Sequence, residues 1–208
     1  MAATKTRRQI AAEDTQRAIV EAAHALFLKR GYHATSIGAV AAQAGVAVQT
    51  IYNSVGSKRD LLSRVLDYAA AGERAPTPVP AFMRDQAERE PDPRRIIDQL
   101  VEFWRGGMER IVPVFRVIRQ AAALDPEVAA LERQRAEQRL RNYGIAARIL
   151  AERGALHQGL SADDAAAIIF SLGHPDQYHF LVHEHGWPVK RWAEWVRSSL
   201  VAALLESG

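Results

Sequence analysis

Ala41, Gly45 and Ile51 stand four and six residues apart in this chain, and that spacing constrains the fold more than any other feature. A small residue at the first position lets two helices cross closely. A glycine at the second admits the positive φ of a tight turn, and a branched apolar residue at the third anchors the second helix against the first. Two short helices joined in this way form a helix-turn-helix.

The flanking residues agree. Thr35 or Ser36 supplies an N-cap, Ile37, Val40, Ala41 and Ala44 recur at helical spacing as an inner face, and Gly45 ends the helix. At about 100° per residue, an inward Ile51 brings Ala47, Val48 and Val55 to the inner side. Gln49 and Asn53 then point away, with Thr50 and Tyr52 on the flanks. Outward polar residues on a short helix are commonly only a solvated face. Behind this turn they take a second meaning, because Gln and Asn pair bidentately with the N6 and N7 edge of adenine in the major groove.

From residue 17 to 66 the chain resembles the N-terminal domain of the TetR family of bacterial transcriptional regulators. The residues that carry the resemblance are Ile19, Ala22, Ala23, Leu26 and Phe27, then Gly31 with Tyr32, Thr35 with Ser36, Ala41, Ala44 to Val46, Ile51 with Tyr52, and Ser57 with Lys58 before Leu61 and Leu62. It departs from the family at Val55, where many relatives carry an aromatic residue, and at Gln49, where glycine is frequent. The second departure leaves the operator sequence open. The resemblance implies that Thr35, Ser36, Tyr52 and Lys58 bind phosphate; Gln49, Thr50 and Asn53 are expected to read bases, with Val48 among the DNA-binding residues. Helix starts attract phosphate independently of any family, and phosphate contacts position whereas base contacts specify. Tyr52 has the alternative role of a packing residue, and Lys58 alone would be an ordinary surface lysine.

Length and charge divide the chain. Its 208 residues allow a DNA-binding domain over 1–64 and an effector-binding and dimerisation domain over 65–208. Residues 1–64 hold nine Lys or Arg against four Asp or Glu, a net +5, and the remainder nets −2, giving the +3 of the whole. Lys5, Arg7 and Arg8 form a basic arm before the first helix, suited to phosphate or minor-groove contacts or serving as a solubilising terminus. The chain has no cysteine, which excludes a disulfide framework and Cys-based metal or redox chemistry. With neither a signal-peptide core nor an apolar run near ~20 residues, the expected location is cytoplasmic.

Helical periodicity dominates and the expected fold is all-α. A first helix is expected over 14–30, the helix-turn-helix after it, and a fourth helix over 58–72. The run Ala75-Pro76-Thr77-Pro78-Val79-Pro80 breaks the pattern. Asp92-Pro93 and Asp125-Pro126 mark helix starts, with helices expected over 94–105 and 108–124. Ser161 to Asp164 resembles a capping box opening a helix over 162–185, Gly154 and Gly186 are stops, and a last helix covers 188–206.

In that last helix Trp192, Trp195, Val196, Leu200, Ala203 and Leu204 make a broad apolar stripe, expected to be a homodimer interface unless both tryptophans pack within one subunit. Family resemblance adds that the last two helices commonly form a four-helix bundle with a partner. Trp104, Met108, Phe115, Tyr143, Phe170, His174 and Gln177 combine apolar surface with hydrogen-bonding tips, as a small-molecule pocket requires, although ordinary core packing is the better account of any one of them taken singly. His174, His179, His183 and His185 crowd one segment, and His179 with His183 share a helix face. A metal-dependent hydrolase or metal-binding helical protein is therefore the rival. No His-Glu-x-x-His motif, phosphate-cradling glycine loop or nucleophile elbow occurs; neither enzyme activity nor a cofactor is expected. The sequence reads as an effector-responsive regulator, a repressor, binding a palindromic DNA operator as a homodimer.

Overall fold

The computed structural model describes residues 6–72, 84–85 and 87–206. Lys5 of the basic arm and the Ala75 to Pro80 run lie outside them. Among the described residues the secondary structure is helical, with one isolated bridge between Leu156 and Leu205. The helices are α1 (Arg7–Arg30), α2 (Ile37–Ala44), α3 (Val48–Ser54), α4 (Lys58–Ala71), α5 (Pro93–Ala122), α6 (Pro126–Glu152), α7 (Ala162–Leu172), α8 (Pro175–Tyr178), which continues as a π-helical turn (His179–Glu184), and α9 (Val189–Leu204).

The first compact unit comprises residues 1–69 and 113–132. Ile19, Ala23, Leu26 and Phe27 of α1, Val40 and Ala41 of α2, Ile51 of α3, and Leu61, Leu62 and Val65 of α4 share one core with Val114, Val117 and Ile118 of α5 and Val128 and Leu131 of α6. The apex of the α5–α6 hairpin is thus part of the core that supports the helix-turn-helix, a long-range pairing that no local pattern announces.

The helix α1 starts at Arg7, seven residues before the expected start. Thr6 caps it, accepting from the Gln9 backbone while the Gln9 side chain accepts from the Thr6 N–H at 2.8 Å. This reciprocal box satisfies donors that a helix start otherwise leaves orphaned. Arg7 and Arg8 therefore belong to the first turn, not to an arm.

The second unit comprises residues 70–112 and 133–208. Its core combines Ile96, Ile97, Leu100, Trp104 and Met108 with Ala147 and Leu150, Ala165 and Ile169, Tyr178, and Trp192, Val196, Leu200 and Leu204. Asp92 and Asp125 cap α5 and α6 as their Asp-Pro signals predict: Asp92 Oδ1 accepts from Arg94 N–H and Asp125 Oδ1 from Glu127 N–H, both at 2.9 Å.

Two expected breaks shift. The helices expected over 94–105 and 108–124 are one helix, uninterrupted at Gly106, Gly107 or Pro113. Its apolar positions stay in register across the glycines, and Met108, Val112, Val114 and Val117 are all buried, so packing outweighs the cost of glycine and proline inside a helix. Conversely, the helix expected over 162–185 ends at Leu172. His174 takes an extended backbone before Pro175, which then opens α8; proline disfavours helical geometry in the residue before it.

Candidate functional site

The turn is built as its residues require. Ser36 caps α2, its Oγ accepting from Ala39 N–H at 3.1 Å. Gly45 closes the helix in the left-handed region with φ 68° and ψ 30°, where a side chain would be strained. Val46 N–H returns to the Ala41 carbonyl at 3.0 Å, satisfying an end carbonyl in the manner of a Schellman cap.

Thr35 and Ser36 part company here. Thr35 is only 1% exposed. Its Oγ1 lies 2.8 Å from the Gly31 carbonyl and 3.3 Å from that of Leu26, so the hydroxyl is committed to the end of α1. The phosphate contact expected of its side chain is corrected accordingly: the loop from α1 to α2 must satisfy the last carbonyls of α1, and Thr35 does so. Ser36 is exposed at the start of α2.

On α3 Ile51 is fully buried and Val55 nearly so, while Gln49, Asn53 and Tyr52 are exposed, Tyr52 by 51%. Gln49 Nε2 donates to Asn53 Oδ1 at 3.0 Å. The two amides thus form one outward unit that retains the Gln49 carbonyl oxygen and the Asn53 amide hydrogens, an acceptor beside donors. Thr50 is half-buried on a flank. Val48, expected inside, is 42% exposed, and Ala47 is exposed too: they occupy the cap and first position, where no preceding turn covers them. Gln16 Nε2 of α1 donates to the Ser54 carbonyl at 2.9 Å and so ties down the end of α3. Sequence reasoning missed Gln16, whose partner is 38 residues away.

Ser57 and Asp60 cap α4 reciprocally: Asp60 N–H donates to Ser57 Oγ at 3.1 Å and Ser57 N–H to Asp60 Oδ2 at 3.0 Å. The Ser57 hydroxyl, which donates to Asp60 Oδ2 at 2.7 Å, and then the Ser57 N–H hold the Asp60 carboxyl below its ordinary range. Lys58 follows, half-buried, its Nζ 3.5 Å from the His33 carbonyl and 4.2 Å above the Tyr32 ring. Burial lowers its pKa, opposed by the Asp125 carboxylate. Ser36, Tyr52 and Lys58 thus keep a hydroxyl or ammonium at or near the surface of this unit, and Gln49 and Asn53 keep exposed amides there.

In the second unit the aromatic residues are brought together. Trp104 Nε1 donates to Tyr143 Oη at 3.1 Å, and edge contacts run from Trp104 to Tyr143, Tyr143 to Phe170 and Phe170 to His174 at ring separations of 5.6, 6.4 and 5.5 Å. Arg139, not foreseen, lies 4.5 Å over Phe170. Burial raises the Tyr143 phenol, while the Arg139 charge and the Trp104 hydrogen bond oppose it. Gln177 N–H donates to the His174 carbonyl at 3.1 Å, and its side-chain oxygen accepts from Trp192 Nε1 at 3.0 Å. Trp104 and Met108 are buried core residues, and Phe115 falls within the first unit. Of the seven residues expected of one pocket, six therefore lie in the second unit and Phe115 in the first.

The apolar stripe of α9 also needs correction. Trp192, Val196, Leu200 and Leu204 are all 0% exposed inside this single chain. Only Trp195, at 37%, is exposed, with Ala203 half-buried. Other helices of the second unit cover the face that periodicity had left without a partner. The histidines pair separately: His179 Nε2 lies 3.1 Å from Glu184 and His183 Nε2 lies 3.7 Å from Glu109, which also accepts from Tyr178 Oη at 2.5 Å. Among the described residues no three His, Asp or Glu side chains gather where they could hold a metal ion, and no helix is long and apolar enough to cross a membrane.

Residues 19–65 match the family model of the bacterial regulatory proteins, tetR family. No curated protein matches the chain by sequence. Solved structures share its fold over nearly the whole length. Native NalD, the secondary repressor of the MexAB-OprM multidrug efflux pump in Pseudomonas aeruginosa, superposes with a TM-score of 0.73 at 19% identity, covering 95% of this chain and all of NalD. The transcriptional regulator FadR from Bacillus subtilis, solved with stearoyl-CoA, gives 0.71 at 17% identity over 89% of this chain and 97% of FadR. The SmeT–triclosan complex gives 0.69 at 19% identity and 93% of both chains.

Proposed function

We propose that this chain, in which a tetR-family DNA-binding domain at residues 19–65 stands within a TetR-like helical fold, is a ligand-responsive transcriptional repressor of the cytoplasm that binds a palindromic operator as a homodimer. The observation that carries the reading is the α3 surface: Gln49 and Asn53 face outward as a hydrogen-bonded pair while Ile51 is fully buried behind them. Ser36, Tyr52 and Lys58 then bind backbone phosphates, and Val48, Gln49, Thr50 and Asn53 face the bases. The metal-hydrolase alternative is not favoured, since the histidine segment offers pairs with Glu184 and Glu109 in place of a ligand set.

Dimerisation follows from the symmetry of such operators, because one head supplies contacts to one half-site only. We place the interface on the outward side of α9, at Trp195 and Ala202, not on the stripe buried within the chain. Solved neighbours with triclosan and stearoyl-CoA bound support a small, partly apolar effector for residues 65–208. The aromatic run from Trp104 to His174 is its proposed surroundings.

Operator selection followed by binding to variants tests the reading. Lys58→Ala weakens binding to all sequences alike and lowers the salt slope by about 0.9 for each phosphate left without its cation. Gln49→Ala and Asn53→Ala relax base preference, losing ~1–3 kcal/mol of discrimination per good bidentate pair. A Lys58 variant that altered sequence preference, with amide variants that did not, would reverse the assignment.

A further inference from the structure

We propose that Gln16 of α1 is a positioning residue for base recognition: through its hydrogen bond to the Ser54 carbonyl it sets the angle at which α3 presents Gln49 and Asn53. The inference rests on the base-reading role of Gln49 and Asn53 given above.

The helix α3 is short and lightly held. It runs seven residues, Ala47 at its start makes no side-chain cap hydrogen bond, and Ile51 is its one buried residue. Val55, just past its end, is the next apolar anchor. Burial of that kind is non-directional; it settles which side of α3 faces the core and leaves the helix able to tilt about Ile51. A hydrogen bond is directional. Gln16 supplies one at the far end of α3, its Nε2 donating to the Ser54 carbonyl at 2.9 Å, and both residues are half-buried. Gln16 is itself fixed, because Ile19 and Val20 lie one turn further along α1 in the same core as Ile51.

Gln49 and Asn53 stand two residues to either side of Ile51, about 3 Å along the axis in each direction. A tilt about Ile51 therefore carries one amide towards the groove and the other away, and no shift of the whole head restores both. Recognition groups must keep their geometry to roughly 0.5 Å or 10–20°, so a small tilt is enough to spoil a bidentate contact. Ser36 opens α2 and Lys58 opens α4, so the phosphate contacts proposed for them do not depend on the angle of α3. A donor that served only to complete the helix end would, when removed, lower stability and weaken binding to all DNA alike. Loss of a positioning donor weakens binding to the operator selectively.

The test is the ratio of operator to random-duplex affinity for the full chain, with an operator selected by the unsubstituted protein. Gln16→Met keeps length and volume and loses the donor, while Gln16→Glu sets an acceptor against the carbonyl. Each should lower the ratio roughly tenfold, about the worth of one bidentate base contact. Gln16→Lys supplies a donor of similar reach and should restore the ratio, in which the general effect of its added charge on DNA affinity cancels. An unchanged ratio in Gln16→Met and Gln16→Glu, an equal loss on both duplexes, or no recovery with lysine overturns the proposal. Circular dichroism fixes a temperature at which every variant is folded, so that lost stability does not imitate lost discrimination. Gln49→Ala and Asn53→Ala are the reference: if they lower the ratio and the Gln16 variants do not, only the positioning role fails, whereas if they too leave it unchanged, the base-reading role fails with it.

Discussion

Adding one methyl group at Gly173 separates the two roles open to Trp104, core residue and effector contact. Gly173 has φ −90° and ψ 19°, a conformation open to any L residue, so the backbone itself does not oppose alanine. A Cβ there would lie 2.3 Å from Trp104 Cζ2 and 2.6 Å from Cη2, about an ångström inside ordinary contact. The indole cannot easily withdraw, being 1% exposed and hydrogen-bonded to Tyr143. Gly→Ala at a compatible site stabilises by about 0.4–1 kcal/mol through the unfolded chain, whereas overpacking a core costs about 1–3 kcal/mol. Gly173→Ala should therefore destabilise, by about 1–2 kcal/mol net. In a Trp104→Leu background the obstruction is gone and the same change should be neutral or slightly stabilising, giving a coupling above about 1 kcal/mol in the double-mutant cycle. Urea unfolding followed by far-ultraviolet circular dichroism measures all four proteins. Equal costs in both backgrounds would refute the packing argument and leave Trp104 free to act chiefly as a ligand contact.

Leu200→Asp should unfold or strongly destabilise the chain instead of yielding folded monomers, because Leu200 is fully buried; truncating a buried leucine already costs ~2–5 kcal/mol. Sedimentation with circular dichroism decides this, and a folded monomer would return the interface to the predicted stripe. Thr35→Val should cost about 1–3 kcal/mol by removing the hydroxyl that serves the Gly31 and Leu26 carbonyls, as read from thermal unfolding; a neutral result would contradict the buried hydrogen bonds. Burial, with Asp125 and Glu127 nearby, pushes the Tyr32 phenol up to about 12. A phenol whose pKa is raised on folding favours the native state while protonated, so its contribution is lost as pH rises from about 10 towards 12, and Tyr32→Phe should flatten that alkaline decline. An effector that weakens operator binding by some factor must itself bind operator-loaded protein more weakly by the same factor; calorimetry with and without DNA tests this, and a ligand indifferent to DNA would remove the regulatory role.

The helix-turn-helix was legible because its specification is local. Ser36, Ala41, Gly45 and Ile51 act on neighbours within about twenty positions, and each does what its residue type dictates: a cap, a close crossing, a left-handed turn and a buried anchor. The Asp-Pro starts at 92 and 125 belong to the same class, since a capping oxygen and a fixed φ need no distant partner. Local signals also misled. Gly106, Gly107 and Pro113 are breakers by propensity, yet α5 runs through them because the apolar residues on both sides are buried. Amphipathic periodicity states that a face will be covered and leaves open by what. For Trp192, Val196, Leu200 and Leu204 the answer was helices of the same chain, not those of a second copy. The grip of Gln16 on α3 and the hydrogen bond from Trp104 to Tyr143 likewise depend on residues far away in sequence. The sequence by itself determined the helices, their caps and the turn, which short-range sterics and hydrogen bonding fix. Tertiary structure alone decided which faces stayed exposed and which charges met, because burial and electrostatics depend on distances that only the folded chain sets.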